Sequence, residues 1–139
     1  MSFLTFGLFF YSLEGSGSGY PVFAAGLLHP FESCCGIEIL SSLHDLSIQG
    51  KSTWDSLYQA KYNSKMEFYH GSITDLTLKD WTDGDVVLAN STCFDDSLMQ
   101  EIDTIAIRLR AGAYIITLSK RLTDVYFDLI EEVRLAMSW

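Results

Sequence analysis

Phe9-Phe10-Tyr11-Ser12-Leu13-Glu14-Gly15-Ser16-Gly17-Ser18-Gly19-Tyr20-Pro21-Val22-Phe23-Ala24-Ala25 is the stretch on which the fold turns. An aromatic-rich run with the character of a buried strand stops at three alternating glycines, and a small-residue helix begins at about Pro21. Glycine has no Cβ, so such a loop reaches positive φ angles and lets a ligand approach the main chain closely. Pro21 suits a first helical turn, where its missing N–H is not needed. Strand, loop and helix together form a first βα turn of the kind that holds a nucleotide-like ligand.

Gly15 to Gly19 also spells a flexible linker. The run is short, however, and lies between two strongly apolar segments with no change of composition to mark a joint. The loop by itself does not separate a nicotinamide, flavin or S-adenosylmethionine site.

Working outward, residues 5–13 read as the first core strand and Val22–Leu28 as a short helix stopped by His29-Pro30. Cys34-Cys35-Gly36-Ile37-Glu38-Ile39 is a second strand ending in an acid. Gly19 and Glu38 stand close to the ~20-residue separation expected between a glycine loop and a ribose-binding carboxylate. Leu40–Tyr62 reads as helix interrupted near Gly50, offering Leu43, Leu46, Trp54, Leu57 and Tyr58 to the core. Lys65–His70 is a third strand, followed by Gly71-Ser72 and a polar stretch anchored by Trp81.

Asp85–Ala89 is a buried fourth strand ending at Asn90-Ser91-Thr92-Cys93-Phe94. Asp95 caps a helix whose apolar face is Leu98, Met99, Ile102, Ile105, Ala106 and Leu109. Arg108 and Arg110 suit its carboxyl end, and Gly112 supplies the stop. Ala113–Leu118 is a fifth strand; beyond Asp124 the run is either helix or a loop leading into a sixth strand, Val133–Trp139. Alternating strands and helices predict an α/β, Rossmann-like, mostly parallel sheet in three αβα layers. Its ligand would sit at the carboxyl ends of the strands.

A chain of 139 residues, 48% hydrophobic, is one domain (residues 1–139) with a real core. A net charge of −9 argues against gripping phosphate backbones. A negative balance of this kind attracts cationic ligands. Cys34 and Cys35 are adjacent and the third cysteine is Cys93, so no CxxC pair exists; all three suit small buried hydrophobes in a reducing compartment. His29, His44 and His70 show no ligand spacing, and no metal site is expected. The apolar amino terminus lacks a basic n-region and is too short for a membrane span.

Taken together, Gly15-Ser16-Gly17-Ser18-Gly19, Gly36-Ile37-Glu38-Ile39, Phe68-Tyr69-His70-Gly71-Ser72 and Asp85 through Phe94 resemble a class I S-adenosylmethionine-dependent methyltransferase. More narrowly, the chain resembles the disruptor-of-telomeric-silencing family of histone lysine methyltransferases. Ile115-Ile116-Thr117-Leu118-Ser119-Lys120 and Met137-Ser138-Trp139 extend the likeness.

The resemblance implies that S-adenosyl-L-methionine is the cofactor, with Glu14, Gly15, Gly17 and Gly19 around its methionine and ribose. It implies that Glu38 holds the ribose hydroxyls, that Ser72 stands at the adenine, and that Asn90 lies beside the reactive methyl. Asn90 and Phe94 would be the catalytic residues, and Trp139 would border the lysine channel. A protein substrate such as a histone is implied with them, and an intracellular location, nuclear if the substrate is a histone and otherwise cytoplasmic. Leu13 and Ser72 stand where the family has aspartates. Measured against the family, upstream helices, a cofactor-covering loop and the last strand are missing, so truncation at both ends is expected. Two alternatives stay open: a non-catalytic relative kept as an interaction module, and a nicotinamide-binding oxidoreductase. Lys120 and Arg121 read as surface charges at a strand end.

Overall fold

The computed structural model describes residues 8–13, 17–123 and 125–136. Five parallel strands lie in the order β3-β2-β1-β4-β5: β1 Phe9–Leu13, β2 Ser33–Glu38, β3 Lys65–His70, β4 Val86–Ala89 and β5 Tyr114–Thr117. β1 is the centre, pairing Phe10 with Cys34 on one side and with Val86 on the other. The sequence runs outward from β1 to β3, then returns to start β4 on β1's other side. The order of connection therefore reverses between β1 and β4, which is where a doubly wound sheet opens a crevice.

Successive side chains on β1 point to opposite faces and so build two cores. Phe10 belongs with Val22, Ala25, Phe31, Cys34, Trp54 and Met66, under the helices α1 (Tyr20–Leu28) and α2 (Ser41–Leu57). Tyr11 and Leu13 belong with Ile37, Trp81, Val87, Met99 and Ile102, under α4 (Asp96–Ala106). A four-residue helix, α3 (Gln59–Tyr62), follows α2. Three layers result, as the alternation of elements predicts.

The crossover from β3 to β4 contains no α-helix. Trp81, fully buried in a one-turn 3-10 helix, donates its indole N–H to the Ile73 carbonyl at 2.8 Å and fills that part of the core. This is the anchoring role expected of it.

α2 departs from expectation in two ways. It runs through Gly50 without a break, because Gly50 is needed for packing and not for a turn. A Cβ there would stand 2.8 Å from the Phe23 ring of α1. The inward stripe is Ser47, Gly50 and Trp54, which lays α2 over β3, with Gly50 against the Phe23 ring and Trp54 in the core beside Met66. Leu46, Leu57 and Tyr58 are turned to solvent as a consequence, and are exposed instead of core residues. Trp54 is held by its indole N–H on the Ser64 carbonyl, at 2.9 Å.

α4 begins as the sequence indicates, with the Asp95 carboxylate accepting from Leu98 N at 2.8 Å. Met99, Ile102 and Ala106 are its buried residues. It ends well before Gly112. Arg108 N and Leu109 N bond the carbonyls three residues back, Ile105 and Ala106, which tightens the last turn. The two arginines do not stay as free dipole partners: Arg108 pairs with Asp80 at 3.2 Å and Arg110 with the buried Asp85. Gly112, at φ 88°, serves the turn into β5.

Cys34 and Cys35 are buried, but Cys93 is exposed, against expectation, because it sits on a 3-10 turn beyond β4. Among the described residues β5 pairs only with β4, and its Tyr114 and Ile116 are exposed. Residues 125–136 form neither the helix nor the strand considered for them, and 137–139 lie outside the described residues. No helix among the described residues is long and apolar enough to cross a membrane.

Candidate functional site

Parallel strands put every carboxyl end on one rim, and the candidate residues follow from that. Gly17 and Gly19 lie in the loop after β1, Glu38 is the last residue of β2, Ser72 comes two residues after β3, and Asn90 directly follows β4. Glu14, Gly15 and Trp139 fall outside the described residues.

Gly17 and Gly19 both hold left-handed backbone, at φ 53° and 96°. At Gly19 a Cβ would also approach Phe23 to 2.8 Å and Phe68 to 3.0 Å. Gly19 caps α1 through its carbonyl, which accepts from Val22 N and Phe23 N at 3.0 Å. The loop therefore needs glycine there on conformational and steric grounds alike.

Glu38 is 3% exposed, so its carboxylate requires partners. Oε2 accepts from Gly17 N at 3.1 Å and Oε1 from Leu40 N at 2.9 Å. Its own carbonyl accepts from Gly71 N at 3.0 Å. One residue thus joins the loops that follow β1, β2 and β3. His70 braces the same turn: a carbonyl can only accept, so the Nε2 atom, 3.0 Å from the Ile39 oxygen, is the protonated one. The His44 ring stacks on it with centroids 5.3 Å apart.

Ser72 is at the rim, with its hydroxyl turned into its own loop. Oγ accepts from Thr74 N at 3.2 Å and lies 2.9 Å from Thr74 Oγ1. Asn90 N reaches the Leu13 carbonyl at 3.4 Å, so the residue that follows β4 is tied to the carboxyl end of β1 at the crevice. Phe94 is buried in the α4 core with Met99 and Ile102, beneath the turn that carries Asn90.

The residues gathered on this rim are those of the glycine-loop, strand-end acid, Gly-Ser and Asn-to-Phe segments of the sequence. The family model of the histone methylation protein DOT1 matches residues 4–135. The chain belongs to that family. Among individual curated proteins none matches. DOT1 membership implies histone methylation, a methyltransferase activity, and with it a methyl donor and a histone or other protein substrate. The parallel sheet flanked by helices is the arrangement expected of DOT1 methyltransferases.

Two residues escaped the sequence. Ser91 is fully buried, accepts from Leu118 N at 3.0 Å and donates to the Leu118 carbonyl. Lys120, read as a surface charge at a strand end, donates its ammonium to the Phe94 carbonyl. Neither makes a periodic pattern, and a contact between two loop segments leaves no local trace. The left-handed Ser119, at φ 66°, is equally invisible in the sequence.

Proposed function

We propose that this DOT1-family chain is the core of an S-adenosylmethionine-dependent histone lysine methyltransferase, with residues 1–139 working as one domain. The observation that carries the proposal is the bond between Gly17 N and the buried Glu38 carboxylate at the carboxyl ends of β1 and β2. It closes a glycine cradle onto an acid beside the β1–β4 reversal, where a doubly wound sheet receives its ligand.

The residues fit an adenosyl sulfonium. Gly17 and Gly19 add no side chains of their own to the cradle, and a carboxylate suits ribose hydroxyls, which can donate to it. Glu14, Gly15, Gly17, Gly19 and Glu38 would hold the methionine and ribose, Ser72 the adenine end, and Asn90 the reacting end. Bound there, the sulfonium supplies an electrophilic methyl group.

For its part, the chain must align a lysine amine in line with that methyl, exclude water, and receive the amine deprotonated. Asn90 can orient its partner by neutral hydrogen bonds, leaving the amine's lone pair unpaired with charge. Phe94, buried below the same turn, supports an apolar surround that disfavours the ammonium form. No nucleophilic side chain is required.

Titration calorimetry with S-adenosylhomocysteine, followed by a methyl-transfer assay on histones, tests the proposal. Binding abolished by Glu38→Ala together with transfer to lysine is the expected result. Binding without transfer to any lysine protein would leave a non-catalytic binding module, and no binding at all would overturn the proposal.

A further inference from the structure

Three successive contacts join the loop after β4 to the loop after β5. Ser91 exchanges two hydrogen bonds with the main chain of Leu118. Thr92 Oγ1 lies 3.4 Å from Ser119 Oγ. Lys120 Nζ donates to the Phe94 carbonyl and stands 3.4 Å from Asp96 Oδ1. The pairs keep step, 91 with 118, 92 with 119, and 94 and 96 with 120. The turn that begins at Asn90 is therefore held at Ser91, Thr92 and Phe94 by a neighbouring segment.

Lys120 does not arrive there by chance of a long side chain. Ser119 takes left-handed backbone at φ 66°, and Lys120 N bonds the Leu118 carbonyl at 2.8 Å, two residues back. Such a tight turn at a non-glycine residue is uncommon and costs backbone energy. It folds the chain so that the lysine stem runs back over the Asn90–Phe94 turn. The bond that results is charge-assisted, and it is made to a main-chain atom, so it fixes backbone position instead of pairing two mobile side chains.

We propose that Leu118-Ser119-Lys120 is a clamp on the Asn90–Phe94 turn, with Lys120 and Ser91 as positioning residues for methyl transfer. The proposal rests on the reading of Asn90 as the residue at the reacting end of the site. Lys120 does not touch the reacting atoms. It acts by holding the turn in the one place from which Asn90 can align them. Alignment is steep in distance, so a small loosening of the turn slows the chemistry while leaving the glycine cradle and Glu38 untouched.

The test compares the chain with its Lys120→Met, Lys120→Arg and Ser91→Ala variants. Amide hydrogen exchange at residues 91–94, affinity for S-adenosylhomocysteine and the rate of methyl transfer are read for each. Lys120→Met is expected to speed exchange at Cys93 and Phe94 by about tenfold. It should slow transfer by about tenfold to a hundredfold. Ligand affinity should stay within about twofold. Lys120→Arg, which keeps a cationic donor, should restore most of both losses. Ser91→Ala should loosen the same amides from the other side of the clamp.

Unchanged exchange in Lys120→Met would overturn the clamp, whether or not the chain transfers methyl groups. Faster exchange with undiminished transfer would overturn the positioning role. Faster exchange in a chain whose parent form transfers nothing would sink the assignment of function and leave the clamp standing.

Discussion

The main-chain N–H of Gly17 donates to Oε2 of Glu38 at 3.1 Å, while Oε1 of the same carboxylate takes Leu40 N at 2.9 Å. One buried acid therefore sets both the glycine loop and the turn at the end of its own strand. Its structural work and its expected ligand work are inseparable. Glu38→Ala should lower unfolding free energy by about 2 kcal/mol, the scale for a buried hydrogen-bonded charge whose partners are orphaned, and should abolish adenosyl-ligand binding. Glu38→Gln should rescue only part, since its NH2 group would face an N–H donor. Urea denaturation and calorimetry on both variants check this; a stable Glu38→Ala chain that binds normally would refute it.

Gly50 offers a test of packing against propensity. In a free helix, glycine to alanine gains about 1 kcal/mol. Here the new methyl would meet the Phe23 ring at 2.8 Å and 2.9 Å. Overpacking costs about 1–3 kcal/mol, so Gly50→Ala should destabilise or break even in place of stabilising. Adding Phe23→Leu should make the glycine substitution less harmful, which a double-mutant cycle reads directly.

Ser12, fully buried on β1, carries a hydroxyl with no hydrogen-bond partner among the described residues. A buried unsatisfied hydroxyl costs about 1–3 kcal/mol. Ser12→Ala is expected to raise the thermal midpoint or leave it unchanged, unlike most core substitutions. A drop of several degrees in calorimetry would contradict the geometry.

The cysteines should separate cleanly. Burial pushes the thiols of Cys34 and Cys35 up to about 12. Thiolate at either is then about one part in ten thousand at pH 8, and mass spectrometry after brief alkylation should find Cys93 labelled and the other two spared. The same shift has a stability consequence. Both groups favour the protonated form when folded, so their contribution is complete below the ordinary thiol range and is lost as pH rises toward 12. Urea midpoints should fall between pH 9 and pH 11. Replacing both with alanine should flatten that fall, whatever it does to the midpoint at neutral pH.

Much of this was legible because it is local. The glycine loop, the acid closing β2, the Asp95 cap and the buried face of α4 each depend on residues a few positions apart, where spacing and backbone chemistry speak directly. α2 was less legible. Its leucines suggested a core face, yet the helix turns Ser47, Gly50 and Trp54 inward: the Phe23 ring leaves no room for a Cβ at Gly50, and Trp54 packs against the same ring. That ring belongs to another helix and cannot be read from α2 alone. The same holds for Lys120, whose meaning comes from a carbonyl at Phe94. Gly112 misled for the opposite reason: it is a genuine turn residue, but α4 had already tightened and ended at Ala106.

The position of β1 has a consequence for the order in which the chain is made. Phe10 pairs with Cys34 on one edge and with Val86 on the other. A nascent chain leaving the ribosome can zip the first edge early, together with α1, β2 and α2. The second edge stays bare until Val86–Ala89 has been synthesised, a wait of several seconds at about 5–20 residues per second. Translation pauses or chaperone contacts in the stretch from Lys65 to Asp85 would bear on yield far more than those nearer the carboxyl end.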